Sequence, residues 1–225
     1  MKYIVLLGDG MSDEPLEELE GKTPLQAAVT PHMDKLAQQG IIGLAATVPE
    51  AFHPGSDVAN LSVFGYDPAS CYTGRSPLEA ASMGVELGPD DVAFRLNLVT
   101  LGLAGGDVYM EDFSAGHITT EEARELIECL QEELGDDEFQ FYPGVSYRHL
   151  MVWRGGRDDL KILPPHDLTG QSISNHVLRS EEAMPLMQIT SSAQLLFKRH
   201  PVNVKRETAG KNPANSIWLW GQGKR

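Results

Sequence analysis

The stretch His53 to Pro68, HPGSDVANLSVFGYDP, holds a break, a short helix and a second break. Pro54 and Gly55 interrupt regular structure. Ser56 or Asp57 then caps a helix whose apolar residues Val58, Leu61, Val63 and Phe64 face a core. Gly65, Tyr66, Asp67 and Pro68 end it in a turn. Ser56 is expected on a tight bend at a helix N-terminus, beside free backbone N–H groups. Such a position lowers the cost of negative charge on a hydroxyl oxygen and suits a phosphate. An ordinary N-cap serine is the competing reading of the same position.

Upstream of this stretch, Tyr3 to Leu7 is a nearly continuous apolar run, as in a central strand covered on both faces. It leads into Gly8-Asp9-Gly10-Met11-Ser12-Asp13. Asp13 occupies the third glycine position of GxGxxG, so a dinucleotide turn is excluded. Asp9 at a strand end suits a hard cation, with a turn-stabilising aspartate as the alternative. Thr30-Pro31 opens a helix that stops at Gly40, and Ile41 to Val48 reads as a second buried strand. Strand, helix and strand form a βαβ plan that brings Asp9 and Ser56 to one sheet edge. A carboxylate and a hydroxyl there suggest metal-assisted phosphoryl chemistry.

Among 225 residues, 41% are hydrophobic and 22% charged, an ordinary globular balance able to bury a core. The formal charge of −14 argues against nucleic acid and anionic membrane as partners. A small anionic substrate stays open, since it needs only a local cluster of cations. Cys71 and Cys129 read as free thiols of a reducing, cytoplasmic compartment. No apolar run has membrane-spanning length, and MKYIVLLGDG reads as a first strand, not a signal peptide. Walker A and GxSxG are absent, which removes support for P-loop kinases and α/β-hydrolases.

After Pro68 the pattern changes to α+β. Ser76 to Met83 is a short helix closed by Gly84. Val92 to Leu101 alternates, with Phe94, Leu96, Leu98 and Thr100 on one face and Arg95, Asn97 and Val99 on the other. Ala104 to Asp107 turns a hairpin into a strand over Val108 to Phe113. Thr119 to Glu122 contains a capping box before the stripe Ala123, Leu126, Ile127, Leu130 and Leu134. Phe139 to Tyr142 and Ser146 to Trp153 read as strands. A helix follows Ser180, with Met184, Met187, Leu195 and Leu196 as core candidates. Ser216 to Trp220, apolar on both faces, is expected to be a central strand. With the last residue only five positions on, the expectation is a fragment or one part of a split protein. It would be completed by a missing C-terminal half or a homo-oligomer partner.

The candidate anion ligands are Arg75, Arg95, His117, Arg148, His149, His166, Asp167, Lys211, Lys224 and Arg225. Each alone is an ordinary surface charge. Arg148-His149 and Pro164-Pro165-His166-Asp167 stand out by their apolar or proline-stiffened settings.

The ordered motifs GDGMSDEP, TPHMDKLA, HPGSDVANLSVFGYDP, TGRSPLEAASMG, DVAFRLNLVT, GVSYRHLMV, PPHDLTG and NPANSIWLWGQGKR span Met1 to Arg225. Together they resemble the archaeal-type cofactor-independent phosphoglycerate mutases of the alkaline phosphatase superfamily. The resemblance implies an α/β fold: an incomplete doubly wound sheet interrupted by an α+β insert. Its parts would be residues 1–69, an insert over 70–178, and a return into the α/β domain over 179–225. It implies Ser56 as the phosphorylated nucleophile and as a metal ligand with Asp9, and two divalent ions (Mn, Zn or Mg). It implies a small phosphorylated three-carbon acid as substrate and no 2,3-bisphosphoglycerate. Arg75, Arg95, Arg148, His149, His166, Asp167 and Lys211 become the substrate-side candidates. The family's later block of Asp and His residues is not among these 225, so the chain alone is expected to be nearly inactive. A homoserine kinase-like activity, a phosphatase or phosphopentomutase, and a non-catalytic phosphoester-binding remnant are the alternatives.

Overall fold

The computed structural model describes residues 1–8, 10–176 and 180–225. They form two compact units, Met1–Thr47 and Val48–Arg225. The expected boundaries at 69/70 and 178/179 therefore both fall within the second unit, and Leu178 itself lies outside the described residues.

The first unit holds a turn closed by the Leu16–Lys22 bridge, helix α1 (Pro24–Ala27) and helix α2 (Pro31–Gln39). Thr23 and Gln26 form a reciprocal capping box on α1. Helix α2 begins at Pro31 and stops at Gly40, as the sequence predicts, although the Thr30 hydroxyl bonds Asp34 Oδ1 (2.9 Å) and not the backbone. The two buried strands do not form. Tyr3–Leu7 and Ile41–Val48 carry no ladder, and Tyr3, Leu6 and Leu44 are 86%, 87% and 106% exposed. A strand depends on a neighbour to bond its backbone, and no described residue pairs with either run.

In the second unit, α3 (Ser56–Val63), α4 (Pro68–Cys71) and α5 (Arg75–Met83) precede β1 (Asp91–Ala104) and β2 (Asp107–Asp112). Then come α6 (Thr120–Leu134), β3 (Phe139–Val145), β4 (Arg148–Arg154), α7 (Met184–Phe197), α8 (Pro201–Thr208) and β5 (Ser216–Gly223). Strand β1 is central, because β4 and β5 both pair with its residues 93–97 and must occupy opposite edges. Strand β3 extends the sheet beyond β4, and β2 folds back on the end of β1 through the predicted hairpin. Every strand–strand pairing is antiparallel. The fold is mixed α/β, but the doubly wound parallel sheet is not seen, since its expected strands have no ladders. Strand β5 belongs to this same sheet, and among the described residues it pairs only with β1. It is thus an edge strand; its apolar residues reflect burial on both faces, not a central position.

The alternation of β1 separates two interiors. Phe94, Leu96 and Leu98 join Met151, Trp153, Ile217, Leu219 and the stripe of α6 in the main core. On the other face, Ala93 packs with Ala80, Leu150 and Val152, and Val99 packs with Trp218 and Trp220. Thr119 caps α6 with its side chain on Glu122 N, completing the predicted box. In α7 the buried residues are Leu186, Ala193 and Phe197, with Ala183 just before the helix; Met184 and Leu195 are exposed. Leu196 packs against the main core and Met187 is half-buried, so the expected face holds at those two positions and is lost at Met184 and Leu195.

Candidate anion-binding site

Cross-strand register aligns Arg95 with Leu150 and Trp220, and Asn97 with Arg148 and Trp218. Opposed residues share a face, so the polar groups of β1 meet both tryptophans of β5 on one side of the sheet. Helix α5 lies over that side and supplies Arg75 and Glu79. Gly74, at φ 147°, allows the chain before α5 to lie flush on β5; a Cβ there would run into Gln222 O.

Arg75 Nε donates to Glu79 Oε1 at 2.9 Å, and Arg95 Nη1 pairs with the same oxygen. Both guanidinium carbons lie against the Trp220 ring, 5.4 and 5.0 Å from its centroid. This distance suits cation–π attraction. Asn97 Oδ1 accepts from Trp220 Nε1 (3.0 Å) and Arg95 Nε (3.3 Å), while Asn97 Nδ2 donates to Phe113 O (3.2 Å). Arg95 is only 5% exposed. Burial lowers its pKa, Glu79 opposes that shift, and the Arg75 and Arg148 charges add to it. Arginine remains cationic under such pressure.

A chain of rings continues from Trp220. His166 meets it edge-on at 5.5 Å, Phe113 meets His166 at 6.1 Å, and Tyr147 meets Phe113 at 5.6 Å. Arg148 lies over Tyr147 at 5.6 Å, and His117 abuts the same ring at 6.3 Å. Asp167 sits 3.7 Å from His166 Nε2, and both are exposed. Arg75, Arg95, Arg148 and His166 are thus brought together on a floor of aromatic rings.

His149 and Lys211 are not part of this group. His149 pairs with Leu96 across the ladder and so points into the main core, opposite Arg95. Its Nδ1 accepts from Gly144 N–H (2.9 Å), and its Nε2 has no hydrogen-bond partner. Burial lowers its pKa to about 3, against a raising pull from the Ser146 backbone and with help from the Arg95 charge. The apolar setting by which His149 stands out in the sequence is that of a core position, and strand alternation sends it to the face opposite Arg148. Lys211 acts on Glu122, which also pairs with the buried Arg206 (2.6 Å). Arg206 donates further to Ala115 O and Asn212 O, so this cluster fastens loops to α6 and α8.

Tyr147 and His117 complete the aromatic chain. Tyr147 lies at the β3–β4 turn, where the motif GVSYRHLMV already flags it. His117 stands in the left-handed region at φ +48°, as Ala115 and Ser146 do at +49° and +54°. Non-glycine residues in that region are uncommon and cluster at functional sites. The Asp112 carboxylate holds this loop, accepting from Ser114 N, Ser114 Oγ and Gly116 N.

Ser56 is the first residue of α3 and is exposed; the N-cap is Gly55, and no side chain caps the helix. The capping role is therefore not the one Ser56 performs. Val58 is buried and Leu61 half-buried, but Val63 and Phe64 are exposed, so the α3 face is narrower than its sequence suggests. Asp57 Oδ2 accepts from Tyr72 Oη at 2.5 Å, and burial with this bond raises the Tyr72 pKa while the Arg75 charge opposes it. Tyr72 thus ties the Ser56 helix to the segment that carries Arg75.

Asp9 lies outside the described residues. Among those described, no three His, Cys, Asp or Glu side chains gather as a metal shell, and Asp57 is already engaged by Tyr72. A hard divalent cation takes about six oxygen ligands, so these residues do not fit one. No helix among the described residues is long and apolar enough to cross a membrane.

A profile of the 2,3-bisphosphoglycerate-independent phosphoglycerate mutase family matches residues 37–203. The chain belongs to this family. A probable phosphoglycerate mutase of this type from Geobacter sulfurreducens is 66% identical over 224 residues, covering 100% of this chain and 56% of its own length. The phosphoglycerate mutase of Methanosarcina barkeri is 53% identical over 227 residues, covering 99% and 55%. Among solved structures, a Pyrococcus horikoshii protein superposes with a TM-score of 0.68 at 31% identity, over 96% of this chain and 49% of that one. The cofactor-independent phosphoglycerate mutase of Thermoplasma acidophilum gives 0.56 at 29% identity, over 96% and 57%. The chain thus spans about half the length of the phosphoglycerate mutases it matches.

Proposed function

We propose that this chain carries the substrate-holding and phosphoryl-accepting residues of a phosphoglycerate mutase that interconverts 2- and 3-phosphoglycerate. The observation that carries this reading is the Arg75–Arg95 pair on Trp220, with Arg148 and His166 beside it. A small molecule with a carboxylate and a phosphate needs several guanidinium donors in a partly dry setting. A chain of net charge −14 has little other reason to gather cations on aromatic rings.

In the reaction, Ser56 Oγ attacks phosphorus and the bond to the substrate oxygen breaks. The departing oxygen takes up the proton that the serine gives up, leaving phosphoserine and glycerate. Glycerate stays held by its carboxylate, reorients, and attacks phosphoserine with its other hydroxyl, returning the proton to Ser56. Water must be kept out at the phosphoserine stage, or hydrolysis replaces transfer.

The same observation favours a narrower property for the chain by itself, binding without turnover. Calorimetric titration with 3-phosphoglycerate tests it: wild type binds, and Arg75→Met with Arg95→Met weakens binding at least tenfold, about 1.4 kcal/mol. Equal affinity of the double variant would place the substrate elsewhere and overturn the reading.

A further inference from the structure

We infer that Glu79 is a positioning residue that sets the two guanidinium groups of the anion site, even though it is an acid placed among the groups that would hold an anion. The inference rests on the reading that Arg75 and Arg95 receive an anionic substrate. Glu79 is one turn along α5 from Arg75, the spacing at which helical side chains meet. A single oxygen, Oε1, takes Arg75 Nε and Arg95 Nη1 together, joining α5 to β1 across the sheet face. Asn97 Oδ1 accepts from Arg95 Nε and from the indole N–H of Trp220, the ring on which both cations rest. Each arginine is thus fastened through part of its fork. Arg75 Nη1 and Nη2, and Arg95 Nη2, make no hydrogen bond among the described residues and remain for a ligand.

Two opposing effects decide the role. As a charge, Glu79 repels an incoming anion. As a fastener, it removes the rotamer freedom of two long side chains, each of which otherwise loses entropy when it grips a ligand. Two unrestrained guanidiniums side by side also repel one another, and one shared carboxylate oxygen neutralises part of that repulsion. The geometry favours the second role, because Arg75, Arg95 and Glu79 are all partly withdrawn from water, where the fixed arrangement counts for more.

The test removes a negative charge and asks for weaker anion binding. Calorimetry on the whole chain compares wild type, Glu79→Gln and Glu79→Ala with two probes, 3-phosphoglycerate and inorganic phosphate. Exchange of the Arg75 and Arg95 Nε–H protons is followed by NMR in the absence of ligand. The expected result is about tenfold weaker binding in Glu79→Ala, partial recovery in Glu79→Gln, and faster Nε–H exchange at Arg75 in the alanine variant. Unchanged or tighter binding of both probes in Glu79→Ala would show an opposing charge and overturn the inference. Unchanged Nε–H exchange would do the same. If wild type binds phosphate but not 3-phosphoglycerate, the phosphoglycerate reading fails and the phosphate series alone judges Glu79. If wild type binds neither, both fail.

Discussion

His149 shows how one buried imidazole ties stability to pH. Its pKa is drawn from 6.5 to about 3. Between those values the unfolded chain binds a proton that the folded chain refuses, so stability falls as pH drops through that window. Above pH 6.5 the residue is neutral in both states and contributes no slope. One such group gives about 1.4 kcal/mol per pH unit. From pH 6.5 to 5, wild type should lose about 2 kcal/mol more than His149→Gln, read by urea titration at each pH. Parallel losses would show that His149 is protonated in the fold. Ser56 makes the opposite case, a residue with little structural work. Because Gly55 is the N-cap and the Ser56 side chain makes no capping bond, Ser56→Ala should leave the melting temperature unchanged. In a protein with the full span of its relatives it should reduce isomerase activity by orders of magnitude. A drop in stability of about 1 kcal/mol, the ordinary worth of a cap, would assign the serine a capping role after all.

At the scale of elements, the approach of α5 to β5 depends on two glycines. A Cβ at Gly74 would meet Gln222 O and one at Gly223 would meet Thr73 O, both backbone atoms that cannot swing aside. Gly74 also has the positive φ that disfavours any side chain. Gly74→Ala should therefore destabilise the fold by about 2–4 kcal/mol and weaken phosphoglycerate binding, because Arg75 follows directly. Calorimetric melting and titration measure both, and a variant that melts and binds like wild type would refute the close approach. Elements with local determinants were legible from sequence: the α6 capping box, the Ala104–Asp107 hairpin, the Gly84 stop and the alternation of β1. What escaped depends on distant partners. Tyr3–Leu7 and Ile41–Val48 have strand composition, but composition supplies no neighbour to bond their N–H and C=O groups. The site divides in the same way. Arg95 and Arg148 could be assigned to faces by counting residues in twos, and the same count applied to His149 would have sent it to the core. Glu79 carried no signal, since an acid within RSPLEA reads as helix surface until Arg95 is seen beside it.

For the whole molecule, the two units differ in what holds them. None of the described residues of 1–47 is buried, whereas the second unit contains both interiors of the sheet. Backbone without buried side chains opens at little cost. Limited proteolysis should cut within the first unit and leave a resistant fragment that begins near Val48. That fragment should keep the affinity of the whole chain for 3-phosphoglycerate, since Arg75, Arg95, Arg148 and His166 all lie within it. Mass spectrometry of the digest and titration of the fragment decide the matter, and loss of binding would mean that residues before Val48 are needed. With 3-phosphoglycerate and Mn²⁺, the intact chain should form no 2-phosphoglycerate. Turnover near that of a longer relative would show that other residues assemble the missing shell.

The two-sided character of β1 also has a consequence for inheritance. Side chains at 94, 96 and 98 lie in the main core, and those at 95 and 97 meet Trp220, Glu79 and Phe113. A library that visits every codon from 94 to 98 should return a beat of two. Even codons should tolerate exchange among apolar residues and fail through loss of folded protein. Odd codons should lose binding with nearly every exchange, including those conservative enough to leave the protein folded. Adjacent codons of one gene would then be under different selection, so a drifting population should accumulate neutral apolar changes at alternate positions while its neighbours stay fixed.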